Sequence, residues 1–195
     1  MACETPDEKN ALRALFRVRR RELAAADPAA AERVAEAVPA ELLTRFSAVA
    51  GYCAIAAELD PEPLMRRFRL AGSQILLPAA VKRDQPLVFR ITGDPHGFVA
   101  DALGVPAPPP SAREGRPSLV LVPVVAFDRR GGRLGQGAGC YDKTLEALRA
   151  AWPVFALGLA YAGQEYVDLP VQPHDQRLDA ILTEKGYIEV KRGSP

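Results

Sequence analysis

A glycine-rich segment in the second half of the chain has the residue types and spacing to hold an anion. It follows an apolar, β-branched run at residues 119–128, which is typical of a buried parallel strand. Gly135, Gly137 and Gly139 come next, and a helical pattern occupies residues 141–149. Such a loop points free backbone N–H groups at a ligand, and the helix dipole at its end favours negative charge. The arrangement therefore predicts a phosphate site.

The spacing of these glycines excludes two common nucleotide-binding loops. A Walker loop requires a Gly-Lys dipeptide, and the chain contains none. A dinucleotide-binding loop has its third glycine three positions after the second, whereas here the glycines are evenly spaced. A glycine-rich turn required only for tight packing remains an alternative. Arg133 before the loop and Asp142 after it favour a nucleotide and metal site.

Three basic side chains near the N-terminus are the second candidate for phosphate chemistry. Lys9, Arg13 and Arg17 are four residues apart, so they share one face of the helix predicted over residues 6–25. The inward stripe of this helix is expected to contain Leu12, Leu15, Phe16 and Leu23. A solvated helix flank is the alternative interpretation of the basic row.

The order of apolar runs predicts how these residues are positioned. The helices are expected at residues 6–25, 28–47, 61–71 and 141–149, and the strands at residues 48–55, 74–78, 86–91, 119–128, 154–159 and 180–183. This alternation predicts an α/β fold with an open, mostly parallel sheet and helices on both faces. We expect a single domain over residues 1–190, a frayed tail at residues 191–195, and an active site at the carboxyl ends of the strands.

Composition limits the partners and the location of the protein. The chain has 195 residues, 48% hydrophobic residues, 25% charged residues and a net charge of +1. This balance gives no case for nucleic acid as a partner, and no apolar run is long enough for a membrane span. The N-terminus lacks signal-peptide character. The three cysteines are Cys3, Cys53 and Cys140, an odd and scattered set that favours a cytoplasmic location. We expect a monomer.

A resemblance to a known family emerges from motifs distributed along nearly the whole chain. The chain resembles the 5-formyltetrahydrofolate cyclo-ligases, also called methenyltetrahydrofolate synthetases. The motifs include Lys9, Leu12 and Arg13; Tyr52 with Glu58, Leu59 and Asp60; Gly104, Val105 and Pro106; the stretches 121–128 and 133–142; and His174, Asp175, Leu178, Asp179, Thr183 and Glu184. Each motif alone is weak, but their common order is specific. The pattern departs from the family at Cys140, where a tyrosine is usual, and at Ala107, where a glutamate is common.

The resemblance implies a reaction and its reactants. Family members close the formyl group of 5-formyltetrahydrofolate onto the neighbouring nitrogen and give 5,10-methenyltetrahydrofolate, with ATP hydrolysed to ADP and phosphate. The implied route phosphorylates the formyl oxygen, which is otherwise a poor leaving group. The implied reactants are a reduced folate and ATP with Mg²⁺. A related enzyme acting on another formyl or amide compound, and a non-catalytic nucleotide- or folate-binding relative, are the alternatives.

The resemblance also assigns roles to individual residues. The implied catalytic residues are Lys9, Arg133 and Asp142, and the implied metal ligands are Asp142 and Asp175. The implied ATP-binding residues are Lys9, Arg13, Arg133, Leu134, Gly135, Gln136, Gly137, Ala138, Gly139, Cys140 and Tyr141. The implied substrate-binding residues are Cys53, Glu58, Gly135, Gln136, Gly137, Ala138 and Gly139. The simpler alternatives are a helix N-terminal charge for Asp142, a solvated acidic edge for Asp175, and core packing for Cys53.

Overall fold

The computed structural model describes residues 6–93 and 97–191. The helices are α1 (Pro6–Ala26), α2 (Ala30–Glu36), α3 (Ala40–Arg45), α4 (Glu62–Leu70) and α5 (Cys140–Ala151). The strands are β1 (Ala48–Ala50), β2 (Gln74–Ala79), β3 (Val88–Ile91), β4 (Val99–Ala100), β5 (Pro106–Ala107), β6 (Leu119–Pro123), β7 (Ala126–Phe127), β8 (Arg133–Leu134), β9 (Phe155–Leu159), β10 (Ala180–Thr183) and β11 (Gly186–Glu189). No helix in these two ranges has the length and apolar character needed to cross a membrane.

One seven-stranded sheet organises the molecule. Its order is β11-β10-β9-β6-β1-β2-β3. The five inner strands are parallel, and an antiparallel strand closes each edge, β3 beside β2 and β11 beside β10. The predicted open, mostly parallel sheet is therefore confirmed.

Helices cover both faces of this sheet. On one face, Leu64 and Phe68 of α4 pack with residues of α2 and α3 against β1, β2, β6 and β9. On the other face, Leu145 and Leu148 of α5 pack against Val120 and Val122 of β6. Burial of alternate strand residues on opposite faces explains why the central strands are apolar throughout. The prediction of helices on both faces is confirmed.

The second predicted helix is interrupted. Residues 28–47 form two short helices instead of one, because Pro39 has an extended ψ of 135° and no N–H to continue the ladder.

The burial of Leu15 on α1 also differs from the prediction, since Leu15 is 60% exposed, whereas Phe16 beside it is 1% exposed. The inward stripe of α1 is thus narrower than the sequence pattern predicts.

Two predicted strands differ in length, and four strands, β4, β5, β8 and β11, were not predicted. The strand expected at residues 48–55 ends at Ala50, and the run 119–128 divides into β6 and β7. The chain turns at residues 128–132, where the Oδ1 atom of Asp128 accepts the N–H groups of Arg130 and Gly132, both at 2.8 Å. This turn pairs β7 with β8 as a hairpin. Strand β11 follows β10, which was expected to be the last core strand.

Helix α1 lies beside this hairpin. Phe16 packs with Val125, Ala126, Leu134 and Leu169 in a small apolar cluster separate from the two sheet faces. The segment after β9 forms a short 3-10 turn at Ala162–Gln164, which packs against α1. These contacts place the predicted basic row next to the glycine loop.

Candidate active site

A large cavity lies at the carboxyl edge of the parallel strands. Its volume is about 700 Å³. The walls come from α1, from the loops after β1, β2 and β6, and from the segment before β10. Every residue that the sequence assigned to a site lines it, namely Lys9, Arg13, Cys53, Glu58, Arg133, Leu134, Gly135, Gln136, Gly137, Ala138, Gly139, Cys140, Tyr141, Asp142 and Asp175. The structure brings these residues together, and their individual roles remain predictions.

The glycine loop joins the β7–β8 hairpin to α5. Gly137 and Gly139 have φ angles of +109° and +66°, a conformation that favours glycine. Gly139 occupies the N-cap position of α5, so the first turn of that helix opens into the cavity with Tyr141 and Asp142. This geometry suits an anion, and it shows that two of these glycines are required by backbone conformation.

The basic row of α1 faces the cavity at its glycine-loop end. The Nζ atom of Lys9 lies 2.6 Å from Asp175 Oδ2 and 3.2 Å from Gln172 Oε1. The Nε–H group of Arg13 donates to the carbonyl oxygen of Gly135 at 3.0 Å. Lys9 is buried, so the interpretation as a solvated flank does not hold for it.

Arg133 is a third cation at this end, and it is buried. Its Nη2 atom lies 2.7 Å from Asp142 Oδ1, which also accepts the backbone N–H of Gln176 at 2.9 Å. Its Nε atom has no hydrogen-bond partner among the described residues. Burial lowers the pKa of the Arg133 guanidinium, whereas Asp142 and Asp175 raise it. The site thus holds a partly unsatisfied cation next to a carboxylate.

The predicted metal ligands Asp142 and Asp175 fit a Mg²⁺ ion that is shared with a phosphate. Asp175 Oδ2 accepts hydrogen bonds from Lys9 Nζ and from the backbone N–H of Gln172, the latter at 2.7 Å. Asp142 Oδ1 accepts the hydrogen bond from Arg133 Nη2. Within the described ranges, no group of three or more His, Cys, Asp or Glu side chains is placed to hold a metal. Mg²⁺ bound by proteins typically takes one or two carboxylates and completes its shell with phosphate oxygens and water.

The opposite end of the cavity is built around Glu58. Its Oε2 atom accepts the backbone N–H of Ile55 at 3.2 Å, and its Oε1 atom accepts the side-chain amide of Gln136 at 3.1 Å. Tyr52 and Tyr141 lie nearby, and desolvation raises the pKa of both phenols, with Glu58 adding to the shift. This end therefore offers a fixed carboxylate beside neutral aromatic rings.

The two cysteines of the cavity are protonated thiols. Cys53 is half-buried and Cys140 is buried, and burial raises the pKa of both. Since a thiolate is the reactive form, this argues for a packing role and against a nucleophile. Of the two departures from the family pattern, Cys140 lines the cavity, whereas Ala107 is buried in β5 and does not.

Several lining residues were missed as site residues by the sequence analysis. Leu87, Leu103, Val105 and Pro106 form an apolar wall. Asp101 holds this wall in place, because its Oδ1 atom accepts the N–H groups of Leu103 and Val105 and its Oδ2 atom accepts that of Ala80 at 2.8 Å. Val105 and Pro106 belonged to a motif of the resemblance. Nothing in the sequence pattern marked Asp101, because its partners are backbone groups.

Together these features define the class of protein. The cavity has the basic side chains of Lys9, Arg13 and Arg133 and the carboxylates of Asp142 and Asp175 around a glycine loop, and an apolar wall with the Glu58 carboxylate at the other end. Such a lining suits a polyanion beside a second, flatter ligand. This is the arrangement of an α/β enzyme that catalyses a reaction between two small molecules.

Comparison with known proteins gives the family. Residues 5–184 match the model of the 5-formyltetrahydrofolate cyclo-ligase family, and the chain belongs to that family. The 5-formyltetrahydrofolate cyclo-ligase of Mycolicibacterium smegmatis is 32% identical over 152 residues, which cover 74% of this chain and 77% of the relative. The enzyme of the same name from Escherichia coli is 30% identical over 140 residues, covering 69% and 76%. The resemblance found in the sequence is confirmed.

A solved structure supports the same conclusion. The NMR structure of Aquifex aeolicus 5,10-methenyltetrahydrofolate synthetase superposes with a TM-score of 0.72 at 26% identity, and the match covers 96% of this chain and 95% of that one. The α/β fold is thus shared along nearly the whole length.

Proposed function

We propose that the protein converts 5-formyltetrahydrofolate to 5,10-methenyltetrahydrofolate with ATP and Mg²⁺, releasing ADP and phosphate. The observation that carries this proposal is the convergence of all the residues with an implied site role on one cavity of about 700 Å³. Residues from positions 9 to 175 meet there, although they are distant in sequence. Family membership supports the same reactants.

The glycine-loop end is proposed to hold the triphosphate of ATP. Lys9, Arg13 and Arg133 offset phosphate charge, and the free N–H groups of the loop supply donors. Phosphoryl transfer requires mainly positioning and charge neutralisation, which is what this end provides. Asp142 and Asp175 would hold Mg²⁺, which when bound neutralises the phosphate oxygens.

The other end is proposed to hold the folate. The Glu58 carboxylate suits the adjacent N–H donors of a pterin ring, since an ionised carboxylate accepts two parallel hydrogen bonds. The rings of Tyr52 and Tyr141 and the apolar wall at Leu103 and Val105 supply the flat, dry surface that a pterin requires. Cys53 contributes a small apolar contact.

The proposed chemistry has two balanced steps. The formyl oxygen attacks the γ-phosphorus, the bond to the bridging oxygen breaks, and ADP leaves with the electron pair. The neighbouring folate nitrogen then attacks the formyl carbon, the carbon–oxygen bond breaks, and phosphate departs with the oxygen while the nitrogen loses its proton. Lys9, Arg13 and Arg133 stabilise the charge that moves onto the bridging and departing oxygens.

The test is direct turnover. Purified protein is mixed with 5-formyltetrahydrofolate and Mg-ATP, and the near-ultraviolet absorption of the methenyl product is followed, with EDTA and Asp142→Asn as the inactive controls. The surface variant Arg66→Met is the active control, because Arg66 pairs with Glu32 outside the cavity. ATP-dependent growth of the band supports the proposal. ATP binding without product contradicts it and favours another formyl or amide substrate. Binding of ATP and folate without turnover favours a non-catalytic relative.

A further inference from the structure

Helix α1 carries a buried cation that the basic row did not include. Arg20 comes three residues after Arg17, and it is buried behind the cavity without lining it. Its Nη1 atom lies 3.4 Å from Glu58 Oε1, and the side chains of both residues are only 5% exposed. The folate end of the site is thus an ion pair formed between α1 and the loop after β1.

We propose that Arg20 is a positioning residue for folate recognition, which fixes the orientation of the Glu58 carboxylate that receives the pterin. The inference rests on the proposed function, since it assigns to Glu58 the folate contact stated above. Arg20 itself touches neither substrate in this proposal. It acts from behind through Glu58, so its loss is expected to weaken folate binding and to leave ATP binding intact.

The number of hydrogen bonds that the Glu58 carboxylate can accept supports these separate roles of Arg20 and Glu58. A carboxylate has about four lone-pair positions. In this structure Oε1 receives Arg20 and Gln136, and Oε2 receives the backbone N–H of Ile55. These three hydrogen bonds leave one lone-pair position free, whereas two adjacent pterin donors require two. Gln136 is exposed on the glycine loop, so its neutral amide is the group that yields to the ligand, while the buried Arg20 stays.

The unsatisfied state of Arg20 is a second supporting observation. Its Nε atom is buried without a hydrogen-bond partner in the described part of the chain. An unpaired buried donor is costly, so a side chain required only for packing would be replaced at a gain in stability. The ionisable groups around this pair include the phenols Tyr52, Tyr141 and Tyr161 and the carboxylates Asp60 and Glu184. Among the described residues, the cation in ion-pair contact with Glu58 is Arg20. Arg20 is therefore the cation that balances the Glu58 carboxylate from behind.

The first test separates the two substrates kinetically. Steady-state rates are measured for wild type, Arg20→Met and Arg20→Lys, with Arg66→Met as a control that removes an exposed arginine outside the cavity. Loss of a charge-assisted hydrogen bond corresponds to about tenfold or more in binding. We expect Arg20→Met to raise KM for 5-formyltetrahydrofolate by that factor, to change KM for ATP by less than about twofold, and to be partly rescued by Arg20→Lys.

The second test asks whether Arg20 acts through Glu58. Glu58→Gln and the double variant Arg20→Met/Glu58→Gln complete a double-mutant cycle. We expect the double variant to be no worse than Glu58→Gln, because a residue that only orients a carboxylate has nothing left to orient. The double variant removes both buried charges, so it is expected to fold even if Arg20→Met alone does not; in that case Arg20→Lys supplies the single-variant comparison.

The outcomes of these tests are distinct. Wild-type protein without turnover of 5-formyltetrahydrofolate contradicts the proposed function and this inference with it. Wild-type turnover with an unchanged folate KM in Arg20→Met contradicts the inference alone. An equal rise of both KM values, or full additivity with Glu58→Gln, likewise contradicts it and shows a purely structural role.

Discussion

Replacement of Asp142 by alanine is expected to destabilise the protein as well as inactivate it. The Asp142 carboxylate lies 2.7 Å from the Arg133 guanidinium, whose side chain is only 3% exposed. With the carboxylate removed, the guanidinium remains buried with an unsatisfied Nε atom and without its nearest counter-charge. Asp142 is therefore a structural partner of Arg133 in addition to its proposed metal role.

The size of this effect follows from the burial of the pair. Removal of one partner from a buried ion pair costs about 3–5 kcal/mol. The Asp142 side chain is 20% exposed, so water offsets part of the loss and a value near the lower limit, about 3 kcal/mol, is expected. For a domain of this size, 1 kcal/mol shifts Tm by about 2–4 °C, which gives a fall of about 6–12 °C. The double variant Arg133→Met/Asp142→Leu removes both charges and is expected to regain most of the difference.

Thermal unfolding followed by circular dichroism measures this shift. The control is Glu32→Ala, which breaks a pair with Arg66 whose side chains are both 59% exposed and is expected to cost less than about 1 kcal/mol. A Tm of Asp142→Ala within about 2 °C of wild type would refute the reasoning. Turnover is compared per folded molecule, so that a loss of stability is not mistaken for a loss of catalysis.

Three further predictions concern Gly131 in the turn between β7 and β8, the Tyr52 phenol, and the apolar wall held by Asp101. A Cβ at Gly131, which has a φ of +84°, would lie 2.6 Å from a backbone oxygen, whereas Gly72 has a φ of +96° and open space. In denaturant unfolding, Gly131→Ala should therefore lower the free energy of unfolding by clearly more than the roughly 1–2 kcal/mol of left-handed strain expected for Gly72→Ala. Equal destabilisation of the two variants would contradict this contact. The buried Tyr52 phenol has a pKa raised well above 10.0. Its ionisation favours the unfolded state, so stability present below about pH 10 is lost as the pH rises further, and Tyr52→Phe should flatten that loss in urea unfolding at several alkaline pH values. Asp101→Asn replaces an acceptor of three N–H groups by an amide that cannot accept them all. Steady-state kinetics should show a higher KM for folate and an unchanged KM for ATP; an unchanged folate KM shows that the wall does not depend on Asp101.

Much of the fold follows from local patterns in the sequence. The apolar strands at 119–123, 155–159 and 180–183 are buried on both faces, and such runs predict a parallel sheet. Strand β11 was missed because an edge strand is only half-buried, and its short sequence of Gly, Tyr, Ile and Glu lacks an apolar run. The break at Pro39 was visible in the sequence. The surrounding alanines and leucines favour a helix, but proline prevents a continuous hydrogen-bond ladder.

The site was predictable where spacing or motif marked the residues. Lys9 and Arg13 were found from their separation of four, and the glycine loop was found from its place between strand and helix. Arg20 was missed because it follows Arg17 by three residues rather than four, although both separations keep a residue on the same face of a helix. Its partner Glu58 lies in a loop that only the tertiary fold brings to α1.

Helix α1 contacts both parts of the cavity lining, so under the proposed function it helps to set the distance between the two reactants. Lys9 contacts Asp175 at the phosphate end, and Arg20 contacts Glu58 at the folate end. Their eleven-residue separation along one helix corresponds to about 16 Å. Transfer of a phosphoryl group to the formyl oxygen requires both ligands at a fixed separation, because small misplacement costs rate steeply. A continuous helix with Phe16 anchored in the apolar cluster supplies that rigidity better than two independent loops. Unfolding of α1 would accordingly remove both binding ends together.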